Sequence, residues 1–262
     1  MTLVVRPATL GDVPALADLT RRSFAPDLHP YMTMAQHGAA NFMALPLSAP
    51  HLHPANRLFV AEAEEQVLGH ADFRLSAGGH ALLAYLCVDE ASRGRGVATA
   101  LIAAFLDTES VSRLDLDVFT TNGPANALYD RWGFSNGARR RWIARDLPSA
   151  TTPVPIGGFP SEHAAHAAYG FSEFTITGAD QETLRVGRIG EAVLKVPTAE
   201  TFDDGDLLSR LRAAYPSSST AFSIVREDED VRTPHREILT SARRTLTIDS
   251  SDHDNGKDAH AA

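Results

Sequence analysis

The run Cys87-Val88-Asp89-Glu90-Ala91-Ser92-Arg93-Gly94-Arg95-Gly96-Val97-Ala98 decides how this chain is read. Before it lies an apolar segment, Ala81 to Val88, with the character of a buried strand. After it the spacing predicts an apolar helix from about Val97 to Asp107. Glycines at 94 and 96 permit a tight turn, and the first N–H groups of a helix have no partner within it, so together they form a positive concavity suited to a pyrophosphate. Arg93 and Arg95 add side-chain charge for phosphate oxygens, a solvated Arg95 being an equal alternative. The spacing is neither Gly-x-Gly-x-x-Gly nor a Gly-Lys-Ser/Thr loop, so neither a dinucleotide fold nor a nucleoside triphosphatase is indicated.

Working outward, Leu3 to Arg6 reads as a strand stopped by Pro7, and Asp12 and Pro14 open a helix. A long connection, Ala25 to Arg57, is rich in His, Met and Pro. Strands are expected at Leu58–Glu62, Val67–Leu75 and His80–Val88, separated by turns at Glu64-Glu65 and Gly78-Gly79. Beyond the glycine loop and its helix comes a strand, Leu114–Phe119, whose Leu114, Leu116 and Val118 share one face. Asn122-Gly123-Pro124 then opens a helix running to Trp132, Gly133 stops it, and Trp142–Leu147 reads as a last strand. The domain so defined covers residues 1–148.

The order strand, Arg-x-x-Gly-x-Ala, helix, strand, and then Asn122, Ala125, Tyr129, Gly133 and Phe134 at their spacing resembles the GNAT superfamily of N-acetyltransferases, over about residues 3–147. The resemblance implies an α+β fold, a mixed central β-sheet splayed open at its fourth strand and flanked by helices, with acetyl-CoA as co-substrate. The pyrophosphate would rest on the backbone of Arg93, Gly94, Arg95, Gly96, Val97 and Ala98. Leu86, Cys87 and Val88 would be the strand segment that pairs with the pantetheine and polarises the thioester carbonyl. Asn122 would bond to the cofactor near its pantetheine, and Tyr129 would stand near the sulfur as general acid. Ordinary core packing of Tyr129 and plain helix capping by Asn122 are the competing readings. The long connection would form one wall of the acceptor pocket.

One departure from the family concerns the base. The matching strand, Leu82-Leu83-Ala84-Tyr85-Leu86, holds no acid, so the group that takes the ammonium proton stays open among Asp72, His70 and His80, with exposed strand side chains as the alternative. His51-x-His53 lacks a third ligand, and no metal is expected.

Residues 149–168 read as a linker. Residues 169–249 then form a second, smaller α/β domain with strands at Phe171–Thr177, Thr183–Arg188, Ala192–Val196, Ala221–Val225 and Thr245–Ile248 and a helix over Asp206–Tyr215. Its order resembles a reduced GNAT half without cofactor motifs. The run Arg185-Val186-Gly187-Arg188-Ile189-Gly190 is followed by a strand, so it reads as a hairpin turn and not as a second phosphate loop. Such a domain is expected to cover the acceptor site or to form a homodimer surface. Residues 250–262 read as a disordered tail.

Composition narrows the function further. Of 262 residues, 44% are hydrophobic and 22% charged, enough for real cores, and a net charge of −9 speaks against a protein that tracks nucleic-acid phosphates. Residues 1–148 hold 13 Arg against 15 acidic residues, so the acidity lies mainly in the second half. The single cysteine, Cys87, reads as a small buried hydrophobe. No apolar run approaches the roughly 20 residues of a membrane span, and no secretory signal is seen, so a cytoplasmic protein is expected. The leading reading is an acetyl-CoA-dependent N-acetyltransferase acting on a small-molecule amine or a protein amine. The alternative is a non-catalytic acyl-CoA-binding module.

Overall fold

The computed structural model describes residues 2–178 and 182–248. In chain order the elements are β1 (Val4–Pro7), α1 (Val13–Arg22), α2 (Ala39–Ser48), β2 (Asn56–Ala63), β3 (Gln66–Ser76), β4 (His80–Val88), α3 (Val97–Thr108), β5 (Arg113–Phe119), α4 (Gly123–Arg131) and β6 (Ser135–Asp146). The second half adds α5 (Ser161–Tyr169), β7 (Phe171–Thr177), β8 (Thr183–Ile189), β9 (Val193–Lys195), α6 (Ala199–Asp203), α7 (Gly205–Ala214), β10 (Thr220–Arg226) and β11 (Arg236–Thr247). No helix among the described residues is long and apolar enough to cross a membrane.

The chain forms two compact units, and neither is a continuous stretch. The first takes the residues up to Leu19, then Pro46–Gly137, then those from Ala242 on; the second takes Thr20–Leu45 and Ala138–Ser241. A boundary at Pro148 is what local patterning predicts, but residues 20–45 and 138–148 lie with the second unit, and those from Ala242 on with the first. Residues 20–45 lie with the second unit, where Tyr31 packs on Phe222 at 5.0 Å and Phe42 meets Phe171 at 5.0 Å. The expected linker, 149–168, also belongs to the second unit: Val154 is buried in its core, Gly157 bridges Thr175, and most of α5 falls within it. Finally, β11 leaves the second unit at Ser241 and finishes in the first. The expected tail, 250–262, lies outside the described residues.

In the first unit the strands run β1-β2-β3-β4-β5, and the latter part of β11 lies beside β5. Arg6 on β1 holds Asp12 (2.8 Å) and Glu62 of β2 (2.6 Å), fastening the start of α1 to the sheet. The core gathers Phe59, Ala71, Phe73, Leu114 and Leu116 under α3, whose Leu101, Ile102 and Phe105 are fully buried. Phe73 and Phe105 stack at 3.8 Å. At Gly69 any Cβ would come within 2.9 Å of both Val97 Cγ1 and the Cys87 carbonyl. This glycine lets the first turn of α3 sit directly over β3.

The second unit repeats the plan. The meander β7-β8-β9 is followed by α6 and α7, and β10 returns parallel to β9, then pairs antiparallel with β6. Its core is Phe174, Val186, Leu194, Phe202, Leu208 and Leu211 with their neighbours.

Candidate functional site

In the first unit the sheet opens between β4 and β5. Strands β4 and β5 run parallel and are paired only from His80↔Arg113 to Leu83↔Leu116. On the other side of β4 the register steps from Phe73↔Leu83 to Asp72↔Tyr85, leaving Ala84 as an extra residue. A bulge bends its strand. Past Ala84, β4 stays with β3 and leaves β5. The same bulge shifts the inward-facing set from Ala81 and Leu83 to Leu86 and Val88, which pack against the α3 core.

The Asp89 N–H donates to the Leu68 carbonyl at 2.8 Å, which fixes the alternation of the ladder. Asp89, Cys87 and Tyr85 therefore face β3, while the N–H and C=O groups of Leu86 and Val88 point into the opening. Consistent with this, Arg93 Nε donates to the Val88 carbonyl at 3.4 Å. Of the three residues expected along the pantetheine, two present their backbone. The third, Cys87, is 1% exposed and turns its side chain to the sheet face opposite Leu86 and Val88.

At the mouth of the opening, the Asp89 carboxylate accepts from Ala91 N at 3.1 Å and caps a short turn, Glu90–Ser92. The backbone then passes through Gly94 (φ 74) and Gly96 (φ 80), left-handed values that L side chains adopt at a cost. A Cβ built on either would meet no protein atom within 4 Å, so within the chain the glycines answer to backbone angle. Arg93, Gly94, Arg95 and Gly96 are exposed, whereas Val97 is buried and contributes only its backbone. The first N–H groups of α3 have no intrahelical acceptor, and its first turn holds no acidic residue. An open, cationic, donor-lined cradle fits a pyrophosphate.

Helix α4 supplies the other pair. Asn122 caps it, accepting from Ala125 N at 3.2 Å through Oδ1, which leaves the amide Nδ2 as a donor. Tyr129 is the buried residue of this helix, its ring 5.4 Å from Phe134. Burial, and then the nearby Cys87, push its phenol up to about 12, so it is protonated at neutral pH. Its hydroxyl has no hydrogen-bond partner among the described residues.

The three base candidates separate. His80 begins β4 at the closed end, six residues from Leu86 and so roughly 20 Å away at about 3.3 Å per residue. The structure does not bring it to the opening. His70 is fully buried, and burial lowers its imidazole to about 4. Asp72 pairs with Tyr85 next to the bulge, is 7% exposed, and accepts from Arg74 Nε (3.1 Å) and Nη2 (2.9 Å). Arg74 was findable, since i and i+2 share a strand face. Arg243, Arg244 and Thr245 of β11 also stand in this unit, and no local signal announces them.

Among its described residues the second unit has no such cradle. Its equivalent parallel pair stays closed to the end of β9, where Val196 N donates to the Phe222 carbonyl (2.8 Å) and Ser223 Oγ to the Val196 carbonyl (3.0 Å). Where the first unit has its glycine loop, the second has Asp203, Asp204 and Asp206, which repel phosphate. The Arg185–Gly190 run lies in the β8–β9 hairpin. Among the described residues no group of three or more metal-ligating side chains is assembled.

A sheet opened by a bulge, with backbone donors along one edge and a phosphate cradle at its mouth, is the architecture of an acyltransferase domain. Residues 14–134 match the model of the acetyltransferase (GNAT) family, and this span is a GNAT acetyltransferase domain. The whole chain is similar in fold to the tandem GNAT protein from the clavulanic acid biosynthesis pathway, at 15% identity over 94% of this chain and 98% of that one, with a TM-score of 0.63. Candidate acetyltransferases of Pyrococcus horikoshii (13% identity, 94% and 90% covered, TM-score 0.59) and Thermoplasma acidophilum (11%, 94% and 100%, 0.54) show the same likeness. At these identities the likeness is one of fold. It covers 94% of this chain and so extends through the second unit. No curated protein matches the chain by sequence.

Proposed function

We propose that this chain transfers the acetyl group of acetyl-CoA to an amine by direct attack in a ternary complex. The observation that carries the reading is the β4–β5 opening beyond Leu83 and Leu116, with the Leu86 and Val88 backbone exposed along it and the glycine cradle at its mouth. The cradle from Arg93 to Ala98 holds the pyrophosphate, and Leu86 and Val88 pair with the pantetheine arm. A backbone N–H there polarises the thioester carbonyl as it becomes an oxyanion.

Asp72 takes the ammonium proton of the acceptor, since it is the candidate beside the bulge and each of its oxygens keeps a second lone pair beyond the bond from Arg74. The amine nitrogen bonds to the thioester carbon, and the C–S bond breaks. Tyr129 donates to the departing sulfur. With the phenol near 12 and a thiol near about 8.5, complete transfer is uphill by roughly 5 kcal/mol. Its part is therefore a hydrogen bond that stabilises the developing thiolate, and the thiol's proton is finally made good from solvent.

A CoA-binding module without turnover is favoured by one observation, the engagement of both Asp72 oxygens by Arg74. Calorimetric titration with CoA and acetyl-CoA, followed by thiol release over a panel of primary amines, separates the two. One site per chain with amine-dependent thiol release supports the transferase. Binding without release supports the module, and no binding at millimolar CoA overturns both.

A further inference from the structure

Helix α4 carries Asn122 at its cap and Tyr129 within it, yet it is nine residues long and begins Gly-Pro. A helix that short has no stability of its own in water, so its height and rotation are set by what it is tied to. The tie comes from β11. Arg244 Nη1 donates to Asp130 Oδ1 at 2.8 Å, and Nη2 donates to Asn126 Oδ1 at 2.9 Å. Asn126 and Asp130 are four apart and share one flank of the helix, Asp130 being the immediate neighbour of Tyr129. Asn126 passes the restraint on, its Nδ2 donating to the Phe119 carbonyl at the end of β5 (3.1 Å) and to the Asn122 carbonyl (2.8 Å).

The other end of this lever is also fixed. Arg243 grips Asp117 of β5 through two bonds of 2.8 Å, and Thr245 Oγ1 donates to Asp115 at 2.5 Å. β5 is itself one wall of the opening. Arg244 is buried while its carboxylate partner is not: the side chains are 7% and 61% exposed. Its Nε is buried without a hydrogen-bond partner among the described residues. A buried cation with one donor unfilled is an expensive way to stabilise a helix. What the planar fork adds, and a lysine ammonium would not, is a fixed spacing between two acceptors.

We propose that Arg244 is a positioning residue for acyl transfer, setting where the Tyr129 phenol and the Asn122 amide stand over the β4–β5 opening. The inference rests on the reading that this opening holds acetyl-CoA. It assigns to β11 a part in the chemistry of the first domain.

The test uses the full chain, with R244Q, R244K and D130N made alone and combined with Y129F. CoA affinity is read by calorimetry, and kcat by thiol release from acetyl-CoA with an amine that the wild type accepts. R244Q is expected to bind CoA within about threefold of wild type and to lose roughly 10- to 100-fold in kcat, the scale of a misplacement near 1 Å. R244K is not expected to restore it. The decisive readout is coupling: if Arg244 acts through Tyr129, adding Y129F to R244Q costs far less than adding it to wild type. Undiminished kcat in a folded R244Q overturns the proposal, as do two losses that simply multiply. Should R244Q fail to fold, D130N removes the exposed end of the same tie, and its cycle with Y129F decides in the same way. A wild type that binds no CoA overturns the reading of the opening before any variant is made.

Discussion

Replacing Gly96 tests whether the cradle depends on backbone angle alone. The residue sits at φ 80 at the start of α3, and an added Cβ would meet nothing within 4 Å. No protein atom stands in the way of the added Cβ, so the cost within the chain is that of an L residue in the left-handed region, about 1–2 kcal/mol. If the free loop relaxes to relieve that strain, restoring the cradle on binding costs the same amount. CoA affinity then falls about 5- to 30-fold in Gly96→Ala. Asparagine is larger, but it populates the left-handed region several-fold more readily than other residues. Gly96→Asn should thus lose only about two- to fourfold, and Gly96→Val the most. Calorimetric titration with CoA ranks the three, and thermal unfolding shows whether α3 itself is weakened. Equal losses for alanine and asparagine, or valine binding as well as glycine, would refute the argument, because either outcome makes something other than φ the determinant.

Tyr129→Phe should lower kcat about 10- to 100-fold with CoA affinity held within about threefold, read by thiol release and calorimetry. Asp72→Asn should cost about 100-fold in kcat near neutral pH, whereas His80→Ala, at the closed end of β4, should leave it within about twofold. His70 gives a stability prediction. Its folded value, about 4, lies below the ordinary 6.5. The unfolded chain therefore binds the extra proton between those values, and the contribution is complete above pH 6.5 and lost as pH falls toward 4. The loss is about 3 kcal/mol in total. Urea unfolding at pH 7 and pH 4.5 should show it, and in His70→Leu that component of the pH dependence should vanish.

The loop and the α4 motif were legible because both depend on local chemistry. Glycines at 94 and 96 take left-handed angles, Asn122 caps α4, and Gly133 (φ 78) stops it. The second half was legible as three strands, a helix and a further strand, for the same local reasons, while the parallel pairing of that strand with β9 was not. What stayed hidden was non-local. The bulge at Ala84 leaves no mark in a run that is apolar on both faces. Residues 20–45 carry no local signal that says which unit they join, and only the partners of Tyr31 and Phe42 decide. Thr245 reads as strand, but nothing nearby says that its partner is Asp115, 130 residues earlier. His80 looked eligible as a base because a sequence does not show which end of β4 is closed.

The separation between Asp115 and Thr245 also sets an order of events during synthesis. β5 emerges with an unpaired edge, and the strand that covers it is made more than a hundred residues later. Until then the first domain presents a strand ready to pair with any other chain, which is the hazard that natural sheets usually blunt. Translating the second half is therefore a condition for closing the first, and a pause anywhere between them lengthens the exposure. Folding should be slow, dominated by this long-range pairing, and sensitive to protein concentration.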